Sequence, residues 1–150
     1  MNGMGLWHKV YDVEARLDPE GAKKIKAGLR AVMSDITTAR NLPEAEGKRA
    51  VWMELDTART AIKNLIQMLP VDEELSTQEA EDLFPRHPNP ESLKVAAITA
   101  FTSLVRVINY AKANNWDEIA EELDGDASTH LTLALILSGA VSSESDVTNL

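Results

Sequence analysis

The stretch AKKIKAGLRAVMSDITTA, residues 22–39, decides the fold class of this chain. Its apolar residues recur at alternating steps of three and four, namely Ala22, Ile25, Leu29, Val32, Ile36 and Ala39. This spacing places them on one face of an α-helix about five turns long. Asp18 is suited to cap the helix, Pro19 suits its first position, and Pro43 stops the chain from continuing it. We therefore predict a helix over 19–41 with one narrow apolar stripe.

The same spacing of apolar residues recurs after Pro43. Apolar residues at steps of three and four predict a second long helix over 44–69, stopped by Pro70. A third long helix is predicted over 91–113, and it is apolar on several sides, as buried central helices usually are. The short link before the second helix favours an antiparallel hairpin. The predicted fold class is all-α: an antiparallel bundle of these three long helices with three shorter helices.

The shorter elements are predicted from local signals. A short helix is expected over 6–17. Ser76 and Glu79 have the spacing of a capping box, which predicts the start of a second short helix. A third short helix should run from Trp116 to Leu123 and end at Asp124-Gly125. The segment 128–137 alternates in a way that suits a strand, but a lone strand is unstable, so we predict a helix.

Composition limits the kind of protein further. The chain has 150 residues, 44% of them hydrophobic and 26% charged, which is ordinary for one globular domain. We predict a single domain over 1–138 and a flexible tail over 139–150.

Cysteine is absent, which excludes disulfides and thiolate chemistry. We find no apolar run of the roughly 20 residues that a membrane helix needs, and no signal-peptide pattern, so we expect a cytoplasmic protein without a membrane contact.

The negative charge is concentrated in two blocks. The net charge is -9, and all 15 Lys and Arg residues precede residue 113, whereas eight of the 24 acidic residues follow it. The first block comprises Asp72, Glu73, Glu74, Glu79, Glu81 and Asp82. The second comprises Asp117, Glu118, Glu121, Glu122, Asp124 and Asp126. Such fields repel nucleic-acid phosphates and attract basic proteins.

The second block also resembles a DNA-binding motif. WDEIAEEL, residues 116–123, resembles the first helix of the helix-turn-helix family, in which an alanine packs against the following helix. The resemblance implies a turn and then a recognition helix. Here Asp124 precedes the glycine, and the next helix lacks the Arg, Lys, Asn or Gln side chains that read bases. Because DNA affinity depends on neutralised phosphates, we predict no direct contact with nucleic acid.

The functional prediction is a non-enzymatic acidic interaction protein. Its twelve block carboxylates would bind a basic protein surface, as a nucleic acid mimic does. The partner we expect is a nucleic-acid-handling protein, for example a defence nuclease held by a phage-type inhibitor. We expect no catalytic residue, no cofactor and no bound metal.

Two alternatives stay open. The apolar excess at 93–110 and 131–137 suits a structural homo-oligomer, for instance a homodimer. Carboxylates at Glu118, Glu121 and Glu122 have the spacing that a Mg²⁺-dependent all-α nucleotide pyrophosphohydrolase needs on one of its helices. The matching Glu-x-x-Asp on a facing helix is missing.

A basic cluster has two interpretations as well. It comprises Lys23, Lys24, Lys26 and Arg30. It is either the solvated side of the first long helix or a docking patch for an acidic surface, such as one on a second copy of the chain.

Overall fold

The computed structural model describes residues 17–150, and for residues 148 and 149 only the backbone. The helix predicted over 6–17 therefore lies outside the described residues, apart from Leu17. The described part is all-α and contains no strand, in agreement with the prediction. Its elements are α1 (Pro19–Arg40), α2 (Pro43–Glu46), α3 (Arg49–Met68), α4 (Thr77–Leu83), α5 (Leu93–Ala113), α6 (Asp117–Glu122), a π-helical turn (Leu123–Ala127), α7 (Ser128–Ser138) and a 3₁₀ helix (Glu144–Asn149).

Helices α1 and α3 form the predicted antiparallel hairpin. Arg40 Nη1 lies 2.7 Å from Asp56 Oδ1, and Arg59 Nε donates to Thr37 Oγ1 at 2.9 Å. Moving three residues back along α1 thus moves three residues forward along α3. All six residues of the predicted α1 stripe are completely buried. The Asp18 carboxylate accepts a hydrogen bond from the Gly21 amide at 2.6 Å, as expected of an N-cap.

The core is enclosed by a ring of four long helical segments. Helix α1 packs on α3 and α5, and α7 packs on the other side of both α3 and α5. The three predicted long helices are present, and the segment from α6 to α7 supplies the fourth wall. The expectation that no segment is long and apolar enough to cross a membrane is wrong for α5, which reaches that length and composition, although half of its most apolar 18-residue stretch is buried in this bundle. Helix α5 serves as a core helix of the fold.

Two predicted helix starts are wrong by a few residues. The helix expected over 44–69 is interrupted, because the chain leaves helical geometry at Lys48 (φ -124°, ψ 76°). The interruption follows Gly47, whose helix propensity is low. Helix α5 begins at Leu93 and not at 91, because Ser92 acts as its N-cap and accepts from the Val95 amide at 3.3 Å.

The predicted break at Asp124-Gly125 is also wrong. Helix α6 passes into α7 through the π-helical turn, and the residues that flank this turn, Glu122 and Ser128, both have right-handed helical backbones. A helix-turn-helix requires a non-helical turn between its two helices, and none separates α6 from α7. The resemblance to that motif therefore does not extend to its structure, and the ambiguous segment 131–137 is helical.

The C-terminal region adds a small element to the bundle. A 3₁₀ helix spans Glu144–Asn149, and Val147 packs against the core at partial burial. The domain boundary at 138 and the flexibility of 139–150 remain predictions.

Gly28 allows α1, α5 and the chain after α4 to approach closely. A Cβ atom at this position would lie 2.8 Å from Phe84 Cζ and 3.0 Å from Val107 Cγ2. We predict that Gly28→Ala lowers the free energy of unfolding by about 1–2 kcal/mol, because overpacking outweighs the gain in helix propensity. Urea denaturation measures the difference.

The matched control for this substitution is Gly125→Ala in the π-helical turn. Apart from its chain neighbours and the backbone of its own helical turn, a Cβ atom there would have no heavy atom within 4 Å. The control should leave stability unchanged or raise it by up to about 1 kcal/mol. Equal destabilisation by both substitutions would contradict the packing argument.

Candidate functional site

Three carboxylates form an exposed row on the fourth wall of the bundle. Asp117, Glu121 and Asp124 follow at steps of four and three, so they share one helix face, and all three are exposed. We call these three residues the acidic ridge. Among the described residues none of them takes part in an ion pair or a side-chain hydrogen bond. Their charges therefore face solvent without a neutralising partner in the described part of the chain.

The other three carboxylates of the second block differ from the ridge. Glu118 and Glu122 are half-buried and have interaction partners within the molecule. Asp126 is exposed, and with Glu122 it lines a shallow pocket of about 80 Å³ against α3. The structure thus places Asp117, Glu121 and Asp124 together on one exposed face, whereas Glu118 and Glu122 interact within the molecule.

Half of the first acidic block is neutralised by the protein's own cations. It lies in the connection between α3 and α5, against α1. Three of its six carboxylates form salt bridges: Glu73 with Lys23 at 2.9 Å, Glu74 with Arg30 at 2.6 Å and Glu81 with Arg86 at 2.9 Å. Its external field is therefore weaker than its six charges predict.

Two more carboxylates of that block form hydrogen bonds within or next to their own helix, α4. Glu79 forms one half of the predicted capping box, since its amide donates to Ser76 Oγ at 3.2 Å, but its carboxylate accepts from the Ser76 hydroxyl at 2.8 Å and not from the Ser76 amide. Asp82 accepts from Gln78 Nε2 at 2.8 Å. These carboxylates have local roles that need no second molecule.

The Lys23–Glu73 pair perturbs the protonation of both groups. The hydrogen bond from Lys23 lowers the pKa of Glu73, and the bonds to Glu73 and Glu20 raise the pKa of Lys23. Because the pKa of Glu73 is lower in the folded state, the stabilisation is present at neutral pH and is lost as pH falls through that value. On the alkaline side it is lost as pH rises through the raised pKa of Lys23. The contact is therefore strongest near neutral pH.

A cleft of about 500 Å³ lies between α1 and the chain from 74 to 89. Its lining includes Ala27, Ala31 and the buried ring of Phe84, together with two pairs of polar side chains that join its two walls. These pairs are Arg30 with Glu74 and His87 with Asp35, whose Nδ1 and Oδ2 are 3.2 Å apart. No local sequence pattern predicts this cleft, because the residues that meet across it are 44 to 52 positions apart in the chain.

The histidines show contacts without a metal-binding arrangement. His130 Nδ1 lies 2.6 Å from Glu54 Oε2, and this contact joins α7 to α3. Over residues 17–150, no group of three or more His, Asp or Glu side chains is arranged to hold a metal ion. The Glu118, Glu121 and Glu122 spacing considered for Mg²⁺ thus has no convergent partner helix in that range.

Apolar exposure is modest on the helices considered for self-association. The exposed large residues there are Val95, Leu133 and Leu137. The remaining large apolar residues of α5 and α7 are buried or half-buried, so the bundle itself accounts for most of the apolar excess.

Fold and surface together define an all-α bundle with an acidic ridge on one wall and an ion-paired cleft beside α1. Comparison with known proteins finds no family model that matches the chain and no curated protein or solved structure similar to it.

Proposed function

We propose that this protein is a non-enzymatic interaction module whose acidic ridge docks on a basic protein surface. The observation that supports the proposal is the row of three exposed carboxylates without ion pairs among the described residues. The chain beyond residue 112 contains no Lys or Arg that would neutralise it. Opposite charges across an interface accelerate encounter and set the register of docking.

The partner class follows from the sign and shape of this surface. A row of carboxylates on a rigid helix presents negative charge at regular intervals, as the phosphates of a nucleic acid do. A groove lined with Lys and Arg for nucleic acid is a complementary surface. The specific proposal is an inhibitor, such as a phage-type protein, that occupies this groove on a defence nuclease or a similar protein.

The structure narrows the residues on which the proposal rests. The ridge of Asp117, Glu121 and Asp124 carries it, whereas Asp126 lies on another face of this helix, where it lines the pocket against α3. Glu118 and Glu122 are secondary because they already interact within the molecule. The block at 72–82 is also secondary, since half of its carboxylates are salt-bridged.

A titration with nona-arginine, followed by amide chemical shifts, tests where a basic surface prefers to bind. At low salt we expect the largest shifts over 117–126, and we expect the affinity to fall steeply towards about 1 M salt, where exposed charges are screened within about 3 Å. Shifts centred on 72–82, or shifts spread evenly over the molecule, would contradict the assignment. An affinity that salt does not change would contradict the electrostatic basis of docking.

A further inference from the structure

An exposed segment of the chain lies along the basic side of α1. Residues 70–76 have no regular structure and precede α4, and we call them the strap. No residue from 70 to 83 is buried, whereas Leu69 and Phe84 at either end of that stretch are. The stretch 70–83 is therefore held by buried apolar residues at its ends, and the strap within it contacts α1 through polar groups.

Those polar contacts involve three cations on one face of α1. Lys23, Lys26 and Arg30 follow at steps of three and four. The Lys23 ammonium binds the Glu73 carboxylate at 2.9 Å, and the Arg30 guanidinium binds Glu74 at 2.6 Å. The next residue of the strap, Leu75, is half-buried and lines the 500 Å³ cleft beside Arg30.

The middle cation indicates which kind of molecule suits this face. Lys26 is 7% exposed, and its ammonium donates to the main-chain carbonyls of Val71 and Asp72 at 3.4 and 3.3 Å. Main-chain carbonyls in that position are supplied by a polypeptide segment outside helices, in which the carbonyls are free to accept hydrogen bonds. The chemistry of this face therefore suits a peptide.

We propose that the face formed by Lys23, Lys26 and Arg30 is a binding site for an acidic peptide segment, and that the strap occupies it in the free protein. The partner segment is extended and carries two successive acidic residues followed by a large apolar one, as Glu73, Glu74 and Leu75 do. Its acidic side chains replace Glu73 and Glu74 on Lys23 and Arg30, and its apolar side chain enters the cleft. The strap thereby covers the site until a competing segment displaces it.

This inference is independent of the acidic ridge. It concerns a different wall of the bundle and a partner of opposite charge. If ridge variants lost or kept binding to basic partners, the proposal of a peptide site on α1 would be unaffected. Likewise, failure of the peptide-site proposal would not bear on the ridge.

Direct binding of the strap sequence in trans tests the proposal. The probe is a fluorescein-labelled peptide PVDEELST, which repeats residues 70–77, and the readout is fluorescence anisotropy at low salt. Glu73→Gln with Glu74→Gln in the full chain weakens the strap's own hold on α1. This variant should bind the peptide on the order of ten-fold more tightly than the wild type. Adding Lys23→Gln and Arg30→Gln should remove that gain.

A matched control changes two carboxylates that do not touch α1. Glu79→Gln with Asp82→Asn removes the same charge from the same connection, but both groups bond within or beside α4. This variant should bind the peptide as weakly as the wild type. A gain equal to that of the Glu73 and Glu74 variant would show that net charge alone controls binding, and the proposal would fail.

Hydrogen exchange gives a second measurement that needs no variant. Excess peptide added to the wild-type protein should speed amide exchange in the strap while exchange in α3 and α5 stays constant. Unchanged exchange at saturating peptide would overturn the proposal. So would tighter binding of the double variant to a single-stranded oligonucleotide of equal length than to the peptide.

Discussion

Replacing Leu29 with alanine should lower the free energy of unfolding by about 2–5 kcal/mol. Leu29 lies in the middle of the α1 stripe and is completely buried among the core residues. Alanine would remove its transfer free energy and leave a cavity that the neighbouring helices fill only in part. Urea denaturation followed by circular dichroism measures the loss.

Leu133→Ala is the matched control for this prediction. Leu133 is also a helical leucine, but it is 38% exposed on α7. Its replacement removes less buried surface and leaves no enclosed cavity, so we expect a loss below about 1 kcal/mol. If the two substitutions cost the same, the core assignment of the α1 stripe is wrong.

Reversing the acidic ridge should have the largest effect on binding. Asp117→Lys, Glu121→Lys and Asp124→Lys together should weaken binding of nona-arginine by at least about ten-fold, because attraction becomes repulsion. The chosen positions are exposed, and none is ion-paired among the described residues, so the bundle should keep its helix content. The chemical-shift titration measures the affinity, and circular dichroism checks the fold.

A control with the same change in net charge separates the ridge from general electrostatics. Glu46, Glu91 and Glu144 are exposed and lie elsewhere on the described surface. Reversing all three to lysine should weaken nona-arginine binding much less than reversing the ridge does. Equal weakening would mean that overall charge, and not the ridge, attracts the peptide.

The sequence was sufficient for the helices whose apolar spacing is regular. The stripe from Ala22 to Ala39 predicted α1 because each of its residues faces the same core. The capping residues Asp18 and Ser76 also predicted the starts of α1 and α4 correctly, since an N-cap depends only on residues about three positions away. The start of α5 was misplaced by two residues because local sequence alone did not identify Ser92 as its N-cap.

The continuous helix from α6 to α7 was missed although a signal for it exists. Its buried residues Ala120, Leu123, Ala127, Leu131 and Leu135 follow at steps of three, four, four and four. The mean step exceeds the 3.6 residues of a regular helix, so a regular helix would rotate these residues away from the core. The π-helical turn absorbs the excess and keeps Leu123 and Ala127 buried. Gly125 obscured this pattern because glycine usually marks a helix end.

The site was harder to predict because it depends on tertiary contacts. Composition identified both acidic blocks but not which charges are neutralised. Glu73 and Glu74 meet Lys23 and Arg30 across more than 40 residues of chain, and no local pattern links these positions. The ridge was predictable as a face of one helix, whereas its lack of ion pairs among the described residues required the structure.

The most direct test of the proposed function is a pull-down from the native host with three baits: the wild type, the ridge reversal and the Glu46, Glu91 and Glu144 reversal. We expect the wild type and the control to retain the same basic, nucleic-acid-handling protein at low salt and to release it at high salt, while the ridge reversal retains little of it. Retention of that protein by the ridge reversal at the wild-type level would contradict the assignment of the acidic ridge as the docking surface.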